Sequence, residues 1–354
     1  MSRTGLKVAA VVAVGALALA GCGSSSSKSK GADVGVILPD TQSSVRWETA
    51  DRPYLTAAFQ AAGVKADIQN ADGDKNKMST IADSMIAEKV KVLVIVNLDS
   101  PSGAQIEAKA KAAGVRTIDY DRLTLGGSAD YYVSFDNVKV GQLQGQGLVD
   151  CIGAKPAARI IEINGSPTDN NATLFKQGYD SVLDPKYAAG WTKVGDQSVP
   201  NWSSAQASTI FQQLLTAAGN KVDGVIGSND DMGNAIITVL KGVGLKAPVT
   251  GQDATVQGLQ NILAGDQCMT VYKAVKKEAD GAATLAIALI KNQTAQTNGT
   301  SHDAQGNRDV PSVLLTPVSI TAQNVEDVVK DGYHKASEIC TAALQAACAK
   351  YGVK

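Results

Sequence analysis

Short apolar runs rich in β-branched residues recur along this chain with amphipathic segments between them, and this alternation restricts the fold more than any other feature. The first runs are Val34–Leu38, Val64–Ile68, Val92–Val96, Val115–Ile118 and Tyr131–Phe135. A second series follows at Arg159–Ile163, Thr192–Val194, Val222–Ile226, Pro248–Thr250 and Cys268–Tyr272. Between most of them apolar residues fall three or four apart, as in Met78, Ile81, Met85 and Ile86, or Ile210, Leu214 and Leu215, which is helical spacing. Strands that alternate with helices build parallel sheets, because a parallel pair needs a crossover long enough to hold a helix. Two series of five predict an α/β protein made of two doubly wound parallel-sheet lobes.

The N-terminus reads as an export signal. Arg3 and Lys7 give it a positive start, and Val8 to Ala20 an apolar middle of about 13 residues, short of the roughly 20 that span a bilayer. Leu19-Ala20-Gly21-Cys22 looks like a bacterial lipobox, in which the cysteine takes a diacylglyceryl chain and becomes the mature N-terminus. The plainer alternative is a secretory signal with an incidental cysteine. The position of Cys22, between the end of the apolar run and a Gly/Ser/Lys stretch to Lys30, favours lipidation. Residues 1–21 are thus expected to be a lipoprotein signal and 22–32 a flexible tether. The mature protein would be exported and lipid-anchored on the outer face of the cell membrane, on its periplasmic or extracellular side.

Loss of residues 1–21 removes Arg3 and Lys7 and leaves 31 basic against 34 acidic residues. Such a chain has no cationic surplus for a phosphate backbone, so nucleic acid is not expected as a partner. Cys151, Cys268, Cys340 and Cys348 remain after Cys22, an even number suited to two disulfides in an oxidising compartment, with three connectivities open. No cysteine pair has zinc-site spacing, and the only histidines, His302 and His334, stand far apart in sequence. No metal, cofactor or catalytic residue is expected. Asp72-Gly73-Asp74-Lys75-Asn76 imitates the start of a calcium loop, but Lys77 takes the sixth position, where Gly is needed, and a solvated strand-to-helix loop is the better reading.

Open parallel sheets bind ligands beyond the carboxyl ends of their strands. Asp40, Arg46 and Trp47 follow the first strand, Asn97 the third, Asp121 and Arg122 the fourth, Asp136 and Asn137 the fifth. The second series contributes Asn164, Asp169, Asn170, Asn171, Trp202, Asn229, Asp230, Asp253 and Lys273. Singly these are turn formers, helix caps or core plugs. Their recurrence in both halves points to one shared cleft. Carboxylates accept hydrogen bonds, Arg and Lys donate them, and a ligand that satisfies both carries hydroxyls. Indoles cover the apolar faces of a sugar ring without demanding a polar partner. Arg46, Arg122 and Lys273 nearly balance Asp121, Asp169, Asp230 and Asp253, which fits a neutral sugar better than an anion or an amino acid.

Several segments carry a resemblance. They are Tyr120-Asp121-Arg122, the run Ser134 to Gly141, Gly165 to Asn171, Ser228-Asn229-Asp230, Gly251 to Ala254, Met269 to Lys273 and Val310 to Pro317. Together they resemble the D-xylose-binding proteins of bacterial ABC transporters, in the type I periplasmic sugar-binding family, collinearly from about Val34 to about Glu338. The resemblance implies a monosaccharide held between two lobes, D-xylose first, and delivery to a membrane permease with a cytoplasmic ATPase. Matched to the family's pattern, the ligand-binding residues are Arg46, Trp47, Asp121, Arg122, Asp169, Asn171, Trp202, Asn229, Asp230, Asp253 and Lys273. Two departures stand out. Pro200-Asn201 replaces a usual Asp-Gly before Trp202, and an extra residue lies between Trp47 and Pro53. Alternatives are a binder of glucose- or galactose-type hexoses, a sensor module of the same fold, and a sugar-cleaving enzyme with paired carboxylates. The cations beside the acids keep them ionised and argue against acid catalysis.

The expected lobes are 33–135 with 274–309, and 136–273 with 310–354, in a monomer. Three crossings are expected near Phe135–Asn137, Tyr272–Ala274 and Asp309–Ser312. Cys340 is expected to pair with Cys348, which needs a chain reversal because eight residues of helix span about 12 Å. Cys151 is expected to pair with Cys268, since one ends the helix after the first crossing and the other begins the strand before the second.

Overall fold

The computed structural model describes residues 31–354. The signal, Cys22 and the tether up to Lys30 lie outside the described residues. The chain begins with β1 (Val34–Leu38), α1 (Arg52–Ala61), β2 (Ala66–Asn70), α2 (Lys75–Ala87), β3 (Val92–Ile95), α3 (Ser100–Ala112), β4 (Arg116–Tyr120) and β5 (Tyr131–Phe135). It continues with α4 (Asn137–Ile152), β6 (Arg159–Asn164), α5 (Asn170–Ala188), β7 (Thr192–Ser198), α6 (Ser204–Ala217), β8 (Gly224–Gly227), α7 (Asp230–Gly242), β9 (Thr250–Gln252), α8 (Val256–Ala264) and β10 (Met269–Tyr272). It ends with α9 (Val275–Ile290), β11 (Gly299–Asp303), β12 (Arg308–Leu315), β13 (Val318–Ile320), α10 (Val325–Lys330), α11 (Ala336–Ile339) and α12 (Gln345–Tyr351).

The first sheet runs β11-β12-β5-β4-β3-β1-β2, parallel except where β11 joins β12. The second runs β7-β6-β8, and a single parallel bridge from Val225 to Val249 leads on to β9-β10-β13, with β13 antiparallel. Its first five strands repeat the order of the first lobe's, and both reverse direction of winding beside their first strand. That is the switch point where such sheets form their crevice. Every residue of β1 and β3 is buried, the pattern of strands covered by helices on both faces. Helices α4 and α5 meet backbone to backbone: a Cβ on Gly141 would lie 1.9 Å from the Phe175 carbonyl oxygen. Glycine there lets α5 sit close enough to aim its first turns at the cleft.

The chain leaves the first sheet after β5 and enters α4, whose Val140 and Leu148 belong to the second lobe's core. It returns from β10 into α9, whose Ala279 to Leu289 face pack in the first. The third crossing differs from expectation. Ser312–Leu315 pair in parallel with Tyr132–Phe135, so Asp309–Ser312 lies inside β12 and the chain leaves only at Thr316–Pro317. The boundary at residue 310 is therefore corrected to the end of β12. Pro311 disguises the run as a connection, yet β12 tolerates it opposite Thr300 of the edge strand β11. Cys151 and Cys268 form a disulfide with Cα atoms 6.3 Å apart, and Cys340 and Cys348 another at 6.0 Å. Among the described residues no helix is long and apolar enough to cross a membrane.

Candidate functional site

The loop after β1 is curled by Asp40, whose Oδ1 accepts from the Gln42 and Ser43 amides at 2.8 and 2.6 Å. It delivers Ser43, Ser44 and Arg46 to the cleft. Trp47–Asp51 then form a π turn before α1, with the Arg52 amide donating to the Trp47 carbonyl. The extra residue expected between Trp47 and Pro53 would fall in this turn, since one inserted residue widens a helical turn without changing the register beyond it. The widened turn sets Asp51 against Arg46, which bonds both its oxygens at 2.9 and 2.8 Å. Arg46 also reaches Asp121 at 3.1 Å and Glu278 at 2.8 Å.

From β4, Asp121 enters the cleft in a left-handed conformation, φ +60°. Its carboxylate meets Arg46, Lys273 at 3.5 Å and the Asn171 amide at 3.1 Å. Burial by itself would raise this acid, but Lys273, Arg46 and Arg122 overcome it and hold Asp121 at about 2. Arg122 donates to the Asn97 carbonyl and to Ser43 Oγ, and its Nε lies 2.9 Å from Asp169 in an ion pair without an aligned hydrogen bond. Burial pushes Asp169 up against the pull of Arg122. The Trp202 indole donates to Asp169 at 3.1 Å and meets Phe175 edge-on at 6.2 Å.

Asn201 and Trp202 both have φ +55°. Asparagine takes the left-handed conformation more readily than most residues, so Asn201 can stand where the family has glycine. Gly165 makes the space for the indole, since a Cβ there would lie 2.1 Å from Trp202 Cη2. Asp253, φ +94°, sits 3.4 Å from Lys273 and accepts from Ser44 across the cleft at 3.3 Å. Asn229 donates to the Ser43 carbonyl at 3.1 Å, a second bond between the lobes.

These groups line a pocket between the two sheets' carboxyl ends. Ten of the eleven expected residues line it, joined by Ser43, Ser44, Phe175 and Gln252. Asp230 does not. Its carboxylate turns away under β9, against Gly251 and Gly258, and accepts from Thr255 and Gln267. It braces the loop that carries Asp253, and burial raises it to about 7. Asp230 is therefore corrected from a cleft residue to a buried support. No group of three or more metal-binding side chains occurs among the described residues.

The periplasmic binding protein domain matches residues 34–294. The chain belongs to that family. The periplasmic binding protein is 38% identical over 338 residues to the D-xylose-binding periplasmic protein of Haemophilus influenzae, covering 94% of this chain and 99% of that one. It is also 38% identical to the protein of that name from Escherichia coli, over 88% of this chain and 93% of the other. Among solved structures it resembles a carbohydrate transporter solute-binding protein from Chloroflexus aurantiacus in complex with D-glucose. The TM-score is 0.80, with 31% identity over 87% of this chain and 98% of that chain. The fold is thus the type I periplasmic binding protein fold.

Sequence reasoning missed Asp51 and Glu278, which face Arg46 from behind. Burial, with the charge of Asp121 added, raises Glu278 well above the carboxylate range. Glu278 looks like a surface acid beside Lys276 and Lys277, and nothing in its neighbourhood marks it as buried. Phe175 was findable, since it stands four residues after Asn171 on the same face of α5.

Proposed function

We propose that this periplasmic binding protein captures a neutral monosaccharide between its lobes, D-xylose first among the candidates, and passes it to an ABC permease driven by a cytoplasmic ATPase. The observation that carries the reading is the charge balance of the cavity wall. Asp121, Asp169 and Asp253 face Arg46, Arg122 and Lys273, so the wall sets three anions against three cations, offers both acceptors and donors, and repels neither sign. Asp253 and Asp121 would accept sugar hydroxyls from opposite lobes, while Trp47 and Trp202 cover the apolar faces of the ring. The xylose-binding relatives and the glucose-bound neighbour support the same class of ligand. No pair of carboxylates in the wall is free of a cation, which favours binding over turnover. The protein would act while tethered outside the membrane through lipidated Cys22.

Calorimetry of residues 31–354 against xylose, arabinose, ribose, glucose and galactose tests the ligand. Xylose binding tightest is the expected result, a hexose binding tightest would move the specificity, and no binding at all would end the reading. Labelled-lipid uptake by the full chain tests the anchor. The wild type should take up lipid and fractionate with membranes, and Cys22→Ser should do neither.

A further inference from the structure

Gln252 ends β9 at the cavity wall, 4% exposed, and its side-chain amide makes no hydrogen bond with any protein group. Buried primary amides are nearly always paired, because an unpaired one forfeits its hydration with nothing in return. The neighbouring amides each commit at least one of their polar atoms, although Gln144 Oε1 and Asn137 Oδ1 have no partner. Asn171 bonds Asp121 and Asn137, Asn229 bonds Ser43 and the Met232 amide, and Gln144 donates to three carbonyls. Among the described residues of the wall, Gln252 is the amide left uncommitted.

Its position sharpens the point. Asp121, Asp169 and Asp253 only accept, and Arg46, Arg122 and Lys273 only donate. A primary amide does both from adjacent atoms, as two vicinal hydroxyls do when gauche. We infer that Gln252 is a specificity-determining residue that reads a gauche pair of ring hydroxyls, giving one hydrogen bond and taking the other. The inference rests on the monosaccharide reading above. It explains how a wall of mostly fixed charges distinguishes sugars that differ at one carbon: an epimer that points one hydroxyl of the pair away, or a deoxy-sugar that lacks it, leaves half of the amide unpaired.

The test is calorimetry on the wild type and on Gln252→Leu, which keeps the bulk and loses both polar atoms. Ligands are D-xylose and its 2-, 3- and 4-deoxy analogues. Gln252→Leu should weaken xylose by roughly tenfold to a hundredfold. The loss should shrink to about twofold or less for the analogues lacking a hydroxyl that Gln252 reads. If Gln252→Leu does not fold, Gln252→Met replaces it. The side-chain amide resonances of Gln252 in the wild type should also shift when xylose is added. Unchanged xylose affinity in a folded variant, or an equal loss for xylose and every deoxy analogue, would overturn the inference while leaving the transporter reading intact. A wild type that binds neither these four sugars nor glucose, galactose, arabinose or ribose would instead bring down the reading on which it rests.

Discussion

Asp253 holds φ at +94°, where alanine is strained and asparagine less so, so truncation there would mix backbone cost with lost contact. Asp253→Asn is the cleaner change. It keeps the shape, removes the charge facing Lys273, and should weaken the sugar roughly tenfold to a hundredfold, a charged hydrogen bond contributing about 1.5–3 kcal/mol. Calorimetry with a melting curve for each protein checks it, and unchanged affinity would place the ligand elsewhere. Gly165→Ala acts from outside the wall. The new Cβ would overlap the Trp202 ring and displace it. Stacking does not read individual hydroxyls, so every accepted sugar should weaken by a similar factor in parallel titrations. At this scale the sequence showed most of the wall, because strand ends are recognisable and their charged residues fall beside them. Asp230 misled for the same reason: it follows a strand like the others, but as the first residue of α7 it points beneath β9.

Elements carry two further expectations. Asp230, raised to about 7 by burial, binds its proton more tightly folded than unfolded, where an aspartate titrates near 4. Its contribution is therefore complete below about pH 4 and is lost as pH rises toward 7. The melting temperature of the wild type relative to Asp230→Asn should fall across that interval, and a constant difference would refute the assignment. The disulfides differ in the chain they close, 117 residues for Cys151–Cys268 and 8 for Cys340–Cys348. In the chain-entropy account the longer loop stabilises more, by up to about 4–5 kcal/mol, so replacing Cys151 and Cys268 by serine should lower the melting temperature more than replacing Cys340 and Cys348. The central strands of both series were legible because buried parallel strands are uniformly apolar, while the half-buried edge strands β2 and β7 are polar and their ends were read short or shifted. The β11–β12 hairpin was not, since Gly299–Asp303 is a polar edge strand and Pro311 interrupts its partner. The π turn at Trp47–Asp51 was not legible either, since nothing in its residues distinguishes it from an ordinary helical turn.

Across the whole molecule, the lobes meet through polar groups: Ser44 with Asp253, Ser43 with Asn229, Arg122 with Asp169 and Asp121 with Asn171. A ligand held only by the closed form stabilises it by mass action, about 2.7 kcal/mol at one hundred times its dissociation constant. Thermal melting with saturating xylose should rise accordingly, and an unshifted transition would contradict capture between the lobes. The four contacts just named need no sugar. They would favour the closed form before any ligand arrives, and apparent affinity equals intrinsic affinity scaled by the fraction already competent to bind. Residues of the wall can then act twice, once by contacting the cargo and once by setting how much of the protein is already closed when it arrives.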